Sequence, residues 1–114
     1  MDTLSHQLAD LLLAIEAEMR RLGLWEQQPP PEEALCSLMP FCHDTLRLEQ
    51  WLQWVFLPKM KRVLETGEEF PGSSEIEPLA EYRFNLLPQQ TDRLLALIGR
   101  FDALINRTSR EGMS

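Results

Sequence analysis

Residues 44–60 read DTLRLEQWLQWVFLPKM, and this segment gives the strongest structural signal in the chain. Its apolar residues recur at intervals of three and four, the spacing of one helix face, and they are Leu48, Trp51, Leu52, Val55 and Phe56. We expect Asp44 to cap this helix, because its carboxylate can accept hydrogen bonds from free backbone N–H groups. Pro58 has no N–H to donate to the carbonyl of Trp54, so the helix should kink or break there and resume over residues 59–66.

A second amphipathic helix is predicted at the N-terminus. It should begin at Thr3, with Asp2 or Thr3 as its cap, and end before Gly23. Its apolar stripe consists of Leu4, Leu8, Leu11, Leu12, Ile15, Met19 and Leu22. The acidic residues fall mostly off this stripe and are expected on its solvated side; they are Asp10, Glu16 and Glu18.

The C-terminal helix should span residues 91–107, ahead of a loose tail that contains Gly112. Its apolar stripe consists of Leu94, Leu97, Ile98, Phe101, Leu104 and Ile105. Two shorter helical pieces are also predicted, one within residues 32–38 after a run of prolines, and one within residues 73–87.

No stretch alternates at period two for long enough to form a strand. The sequence therefore predicts an all-α fold, a small helical bundle of three main amphipathic helices plus one or two short ones. The 114 residues, 44% of them hydrophobic, are enough for one core, so we expect a single domain over residues 1–114.

Composition also narrows the class of protein. The longest uninterrupted aliphatic run, residues 11–15, is too short to span a bilayer, and the N-terminus lacks the basic region of a signal peptide. We therefore expect a cytoplasmic protein with no membrane contact and with two free thiols rather than a disulfide framework. The formal net charge of -7 argues against general attraction to nucleic acid, but it is compatible with a local basic patch.

The residues that could carry chemistry do not form a recognisable catalytic or metal site. Cys36, Cys42 and His43 are close in sequence, but they lack the spacing of a zinc site, and adjacent residues seldom face each other as a Cys–His pair. Asp44 and Glu49 are better explained as a helix cap and as a solvated or arginine-paired side chain. The sequence predicts a protein that is not an enzyme and holds no cofactor or metal.

The motif segment concentrates aromatic residues. Trp51 and Trp54 are three residues apart and should be neighbours on the helix, and Phe41 and Phe56 could join them. Packing in the core is the commoner role for such residues, but a ligand pocket or a partner surface is the alternative. Trp54 is expected to be partly exposed, because Trp is seldom completely buried.

Arginines recur every seven residues on the C-terminal helix, at Arg93, Arg100 and Arg107. They should line one flank of the helix, where they could contact phosphates or an acidic protein surface. The alternative is a solvated flank that pairs with neighbouring carboxylates, of which this chain has many.

The motif segment resembles the YqcC family of small bacterial proteins, and the likeness extends over nearly the whole chain. The matching residues are Pro40, Phe41, Asp44, Thr45, Trp51, Leu52, Trp54, Val55, Pro58 and Met60. The resemblance implies a helical bundle whose biochemical role is not established, and it supplies no active site. Members are often encoded beside, and sometimes labelled after, the C-type tRNA pseudouridine synthase, whose large mixed β-sheet this chain lacks the length to form.

These observations favour a non-catalytic interaction module that binds a protein partner, in the setting of tRNA modification. The candidate interaction surface consists of Phe41, Asp44, Thr45, Trp51, Trp54, Pro58 and Met60. Two alternatives stay open: a small apolar or aromatic ligand held between helices, and RNA contact through the arginine flank.

Overall fold

The computed structural model describes residues 3–37, 39–42 and 44–112, with side chains as far as residue 107 except that of Pro40. The helices are α1 (Thr3–Arg21), α2 (Glu32–Leu35), α3 (Leu48–Trp51), α4 (Leu57–Thr66), α5 (Ile76–Phe84) and α6 (Asp92–Gly112). A 3-10 turn, Pro40–Cys42, lies between α2 and α3, and a π-helical turn, Leu52–Phe56, joins α3 to α4. The described residues contain no strand, and the all-α bundle predicted from periodicity is confirmed.

The helix of residues 48–66, which we call the motif helix, starts later than the sequence suggests. The prediction that Asp44 caps it is wrong, because the residue before the helix is Arg47, whose backbone N–H donates to Gln50 Oε1 at 2.9 Å. The Asp44 carboxylate instead accepts a hydrogen bond from the Ser37 hydroxyl at 2.5 Å. Asp44 therefore stabilises the preceding loop rather than the helix.

The motif helix passes through Pro58 without a break. The disturbance takes the form of the π-helical turn just before the proline, in which the N–H of Leu57 donates to the carbonyl of Leu52, five residues back. Such a wide turn is a usual place for a helix to absorb a distortion. The helix then continues to Thr66, where Gly67 adopts the left-handed conformation, φ 75°, that ends many helices.

The π-helical turn also explains how one series of buried side chains stays on a single face of the motif helix. This series follows intervals of four, at Leu48, Leu52, Phe56 and Met60, and the residues buried beside it are Glu49, Gln53, Leu57 and Val63. In a regular α-helix each interval of four overshoots a full turn by about 40°, so such a series would drift around the helix. Because the π turn takes more residues to complete, it offsets this drift and keeps the series on one face.

The core lies between α1, the motif helix, α5 and α6. Helix α6 packs against α1 and α5, and α1 also packs against α4. The largest fully buried side chains come from α1, the motif helix and α6, and they are Leu8, Leu12, Ile15, Met19, Leu52, Leu57, Leu94, Ile98, Phe101 and Ile105. Each amphipathic helix thus buries its stripe only by packing on its neighbours.

The remaining helix predictions are largely confirmed at their centres and differ at their ends. Helix α1 matches the prediction, and Gly23 is left-handed at φ 75°. Helix α2 ends at Leu35, and α5 starts at Ile76 rather than at a serine. Helix α6 continues to Gly112, so the prediction of a loose tail there is wrong.

One side chain of α1 also departs from its predicted place. Glu18 was expected on the solvated side but is only 4% exposed. It accepts two hydrogen bonds from Arg21, which supplies the opposite charge that a buried carboxylate needs.

The two cysteines are free thiols, as predicted. Cys36 is exposed and Cys42 is buried, and neither forms a disulfide. The zinc hypothesis also involves His43, which lies outside the described residues, so it stays untested. Within the described part of the chain, no helix combines the length and apolarity that crossing a bilayer requires.

Two adjacent leucines of α1 test the packing. Leu12 is 1% exposed and Leu13 is 63% exposed. We expect Leu12→Ala to lower the free energy of unfolding by about 2–5 kcal/mol, because it leaves a cavity. Leu13→Ala should change it by less than about 0.5 kcal/mol. Urea denaturation followed by circular dichroism measures both, and equal losses would contradict this arrangement of α1.

Candidate functional site

An open groove runs between the motif helix, α5 and the segment before α5. We call it the apolar groove. Its volume is about 670 Å³. Most of its lining is apolar, and the residues that line it include Phe41, Trp51, Val55, Phe56, Met60, Pro71, Ile76, Pro78, Leu79 and Phe101. Grooves of this size and character bind ligands or partner side chains.

A chain of aromatic rings connects the groove to the core. The ring centroids of Phe41 and Trp51 are 4.8 Å apart, those of Trp51 and Phe56 are 5.4 Å apart, and those of Phe56 and Phe101 are 4.9 Å apart. Phe56 and Phe101 are buried, whereas Phe41 and Trp51 are half-buried. The prediction that Phe41 and Phe56 group with Trp51 is confirmed, and the group forms one wall of the groove.

The backbone that places Phe41 in this wall is unusual. Phe41 and Cys42 have positive φ angles of 58° and 51°. Non-glycine residues seldom adopt this conformation, and each instance costs on the order of 1–3 kcal/mol. The turn is held by hydrogen bonds, since the Thr45 hydroxyl donates to the carbonyl of Ala34 at 2.7 Å. Asp44 and Thr45 thus hold the loop that carries Phe41, and both are exposed on the chain surface.

The apolar surface continues from the groove onto the outer side of α5. Leu79 is 42% exposed and Tyr82 is 74% exposed. A second hollow, of about 330 Å³, contains both side chains together with Phe41 and Arg83. We call the combined surface of Phe41, Trp51, Leu79 and Tyr82 the apolar face.

Sequence reasoning missed the exposure of Leu79 and Tyr82, although a signal was present. The buried residues of α5 are Ile76, Ala80 and Phe84, which follow intervals of four. Leu79 and Tyr82 lie three residues apart and away from that series, so they had to fall on another side of the helix.

An ion pair between a buried carboxylate, Glu49, and a partly exposed arginine, Arg83, joins the motif helix to α5 beside the apolar face. Arg83 donates to both carboxylate oxygens of Glu49, at 2.9 and 2.8 Å. Burial by itself would raise the pKa of Glu49, but the hydrogen bonds from Arg83 and from the backbone, with the nearby charges of Arg83 and Arg47, outweigh it and lower that pKa below its usual 4.5. The arginine-paired alternative predicted for Glu49 is therefore confirmed.

Trp54 lies on a different side of the motif helix from Trp51. Its indole N–H donates to a carboxylate oxygen of Glu26 at 3.0 Å. Gln53 fixes the same segment, because its side-chain amide both accepts from the N–H of Glu26 and donates to its carbonyl, each at 2.8 Å. Trp54 and Pro58 line a separate hollow of about 360 Å³ together with Trp25, Arg20 and Lys61.

The candidate interaction surface is thus divided by the fold. Trp54 is half-buried, as predicted, but the structure does not bring the two tryptophans into one group. Phe41, Trp51 and Met60 line the apolar groove, and Met60 is buried in its floor at 2% exposure.

The three predicted arginines do line one flank of α6. Arg93, Arg100 and Arg107 border an open groove of about 500 Å³ between α6 and α1. Asp10 is the acidic side chain in its lining. The Arg93 guanidinium also lies 3.9 Å from Glu18, so the flank is both solvated and partly paired.

The amino-acid sequence of this chain is similar to those of several bacterial proteins. Residues 7–104 match a family model described as "tRNA pseudouridine synthase C". An uncharacterized Haemophilus influenzae protein is 42% identical over 86 residues, which are 73% of this chain and 81% of that protein. The uncharacterized protein YqcC of Escherichia coli is 32% identical over 93 residues, which are 82% of this chain and 85% of that protein.

Two further comparisons concern a named enzyme and a solved structure. A Pectobacterium carotovorum protein named tRNA pseudouridine synthase C is 43% identical over 68 residues, but these are 60% of this chain and only 18% of that protein. The solution NMR structure of Escherichia coli YqcC superposes with a TM-score of 0.79 at 30% identity, covering 92% of this chain and 90% of that one.

The pairing of Glu49 with Arg83 predicts a dependence of stability on pH. Arg83→Met should destabilise the protein at pH 7 more than Glu49→Gln does, because it leaves a buried carboxylate with a backbone hydrogen bond and the longer contact to Arg47 but no close cation. Since the lowered pKa of Glu49 gives stability above pH 4.5 that is lost in acid, the deficit of Arg83→Met should shrink as the pH falls toward 4. Urea denaturation at both pH values measures this deficit. A deficit that stays constant would contradict the assigned role of the pair.

Proposed function

The chain belongs to the YqcC-like family, and from that membership we propose that it is a non-catalytic interaction module that docks onto a tRNA pseudouridine synthase through the apolar face. The observation that carries the proposal is the exposure of Leu79 and Tyr82 beside a groove walled by Trp51. Exposed apolar surface that extends from a well-packed groove is typical of protein contact sites, and aromatic residues supply much of their binding free energy.

The rigidity of the apolar face supports its role in docking. The ring chain ties Trp51 to the core through Phe56, and the Glu49–Arg83 pair fixes α5 against the motif helix. Surfaces that are ordered before binding lose less conformational entropy when a partner arrives. The left-handed turn at Phe41 fits the same interpretation, because its strain is of the kind that persists where a side chain must be held in place.

The similarity to part of the Pectobacterium carotovorum synthase supports a synthase as the partner. Since the matched segment is 18% of that protein, more than four-fifths of the synthase lies outside the likeness. A segment of this kind joined to a synthase suggests that the separate chain acts beside a synthase rather than as one. Glu75 is exposed in the lining of the apolar groove, and its charge suits an enzyme whose surface is basic because it binds tRNA.

The proposal gives this chain no chemical step. Glu49 is committed to Arg83, and Asp44 is committed to Ser37. These two carboxylates therefore act as structural groups, and on this proposal the family description refers to the setting in which the module works.

Binding to a purified synthase tests the docking surface. The tRNA pseudouridine synthase C of the bacterium that encodes this chain is titrated by isothermal calorimetry. We expect a one-to-one complex whose dissociation constant rises at least tenfold, about 1.4 kcal/mol, in the double variant Leu79→Ala/Tyr82→Ala. Both substitutions remove exposed atoms, so the variant should stay folded.

Leu13→Ala is the matched control, because Leu13 is also an exposed leucine but lies on α1. It should bind the synthase as the unchanged protein does. The absence of a complex, or equal weakening by the control, would exclude docking through the apolar face.

A second candidate function is the binding of a small apolar ligand. The groove volume of about 670 Å³ and its lining by Trp51 favour this alternative, since ligand pockets typically fall in the range of about 300–1,000 Å³. The apolar dye 1-anilinonaphthalene-8-sulfonate is a suitable probe. Saturable binding that Val55→Trp abolishes and Leu13→Trp preserves would support a ligand site. Dye binding that neither substitution changes would exclude it.

A further inference from the structure

A continuous line of arginines follows the junction of α1 and α6. The groove that holds Arg93, Arg100 and Arg107 shares Ala14 and Arg93 with a neighbouring hollow, which adds Arg21 from the end of α1. We call these four residues the arginine track. The three arginines on α6 lie seven residues apart, or about 10.5 Å along the helix at each step.

The charge of the track differs from that of the whole protein. The net charge of the chain is -7, yet the track sets its four guanidinium groups against two carboxylates, those of Asp10 and Glu18. Glu18 is buried and already paired with Arg21 through two hydrogen bonds, so it presents little charge to solvent. Arg21 and Arg93 remain exposed, their side chains at 63% and 74%.

The floor of the track is closed, because Leu11 is 4% exposed and Leu97 is 7% exposed. Apolar contact area remains beside this floor at Ala14, Ala103 and Leu104. The four guanidinium groups distinguish the track from the apolar groove, and their planar donors suit phosphate oxygens.

The track and the apolar face use different sides of α6. On one side, Asp102 accepts hydrogen bonds from the Ser74 hydroxyl and from the N–H of Glu77, which hold the start of α5 beside the apolar groove. The arginines lie on the side that faces α1. A partner on the apolar face therefore leaves the track open.

We propose that the arginine track binds the phosphate backbone of RNA. The contact is independent of base sequence, because no aromatic side chain lines the two hollows of the track. That the RNA is a tRNA rests on the proposed function. The track would then hold the substrate of a synthase that is docked on the apolar face.

Fluorescence anisotropy with a labelled tRNA transcript tests the proposal in the full chain. We expect micromolar binding at 50 mM NaCl that weakens about 20- to 50-fold at 200 mM, the loss expected for three or four phosphate contacts. The double variant Arg100→Gln/Arg107→Gln should bind more weakly, and the slope of log affinity against log salt should fall by about 1.5. Arg100→Lys/Arg107→Lys should retain most of the slope, because it keeps both charges.

Lys59→Gln/Arg62→Gln is the matched control, since both residues are exposed, lie on α4 and give the same change in net charge. It should leave tRNA binding within about twofold, as should Leu79→Ala/Tyr82→Ala. Three results would overturn the proposal: no binding at 50 mM NaCl, equal weakening by the control, or displacement of the tRNA by poly-L-glutamate at equal charge. Absence of a complex between the unchanged protein and the synthase, with tRNA binding intact, would refute the docking surface alone.

Discussion

The wide turn ahead of Pro58 is the constraint on which the rest of the structure depends. A proline inside a helix removes one hydrogen bond and crowds the preceding turn, and this helix responds with a π-helical turn over Leu52–Phe56. That turn keeps Leu48, Leu52, Phe56 and Met60 on one face against the core. It also separates Trp51 from Trp54, so one short aromatic segment contributes to two different surfaces.

Helix α6 organises the two surfaces that we assign to partners. It buries Phe101, the inner end of the ring chain, and fixes the segment before α5 through Asp102. Its opposite flank carries the arginines toward α1. A bundle of this size has room for two independent contacts only because each helix exposes a side that the core does not use.

Periodicity predicted those parts of the structure that depend on local sequence. The spacing of leucines in α1 and of apolar residues in α6 required amphipathic helices, and the seven-residue spacing of arginines required that Arg93, Arg100 and Arg107 share a flank. These features need no knowledge of which helices meet.

Most of the features that sequence reasoning missed depend on tertiary contacts or on irregular backbone. Asp44 is a good helix cap in isolation, but the Ser37 hydroxyl competes for its carboxylate. A pattern based on 3.6 residues per turn cannot show a π-helical turn, so the two tryptophans seemed to be neighbours. The partnership of Glu49 with Arg83 spans 34 residues and has no local signature, yet it couples the two positions energetically. A change at either one alone strands a buried charge or leaves donors without an acceptor, so the cost of a substitution at one position depends on which residue occupies the other.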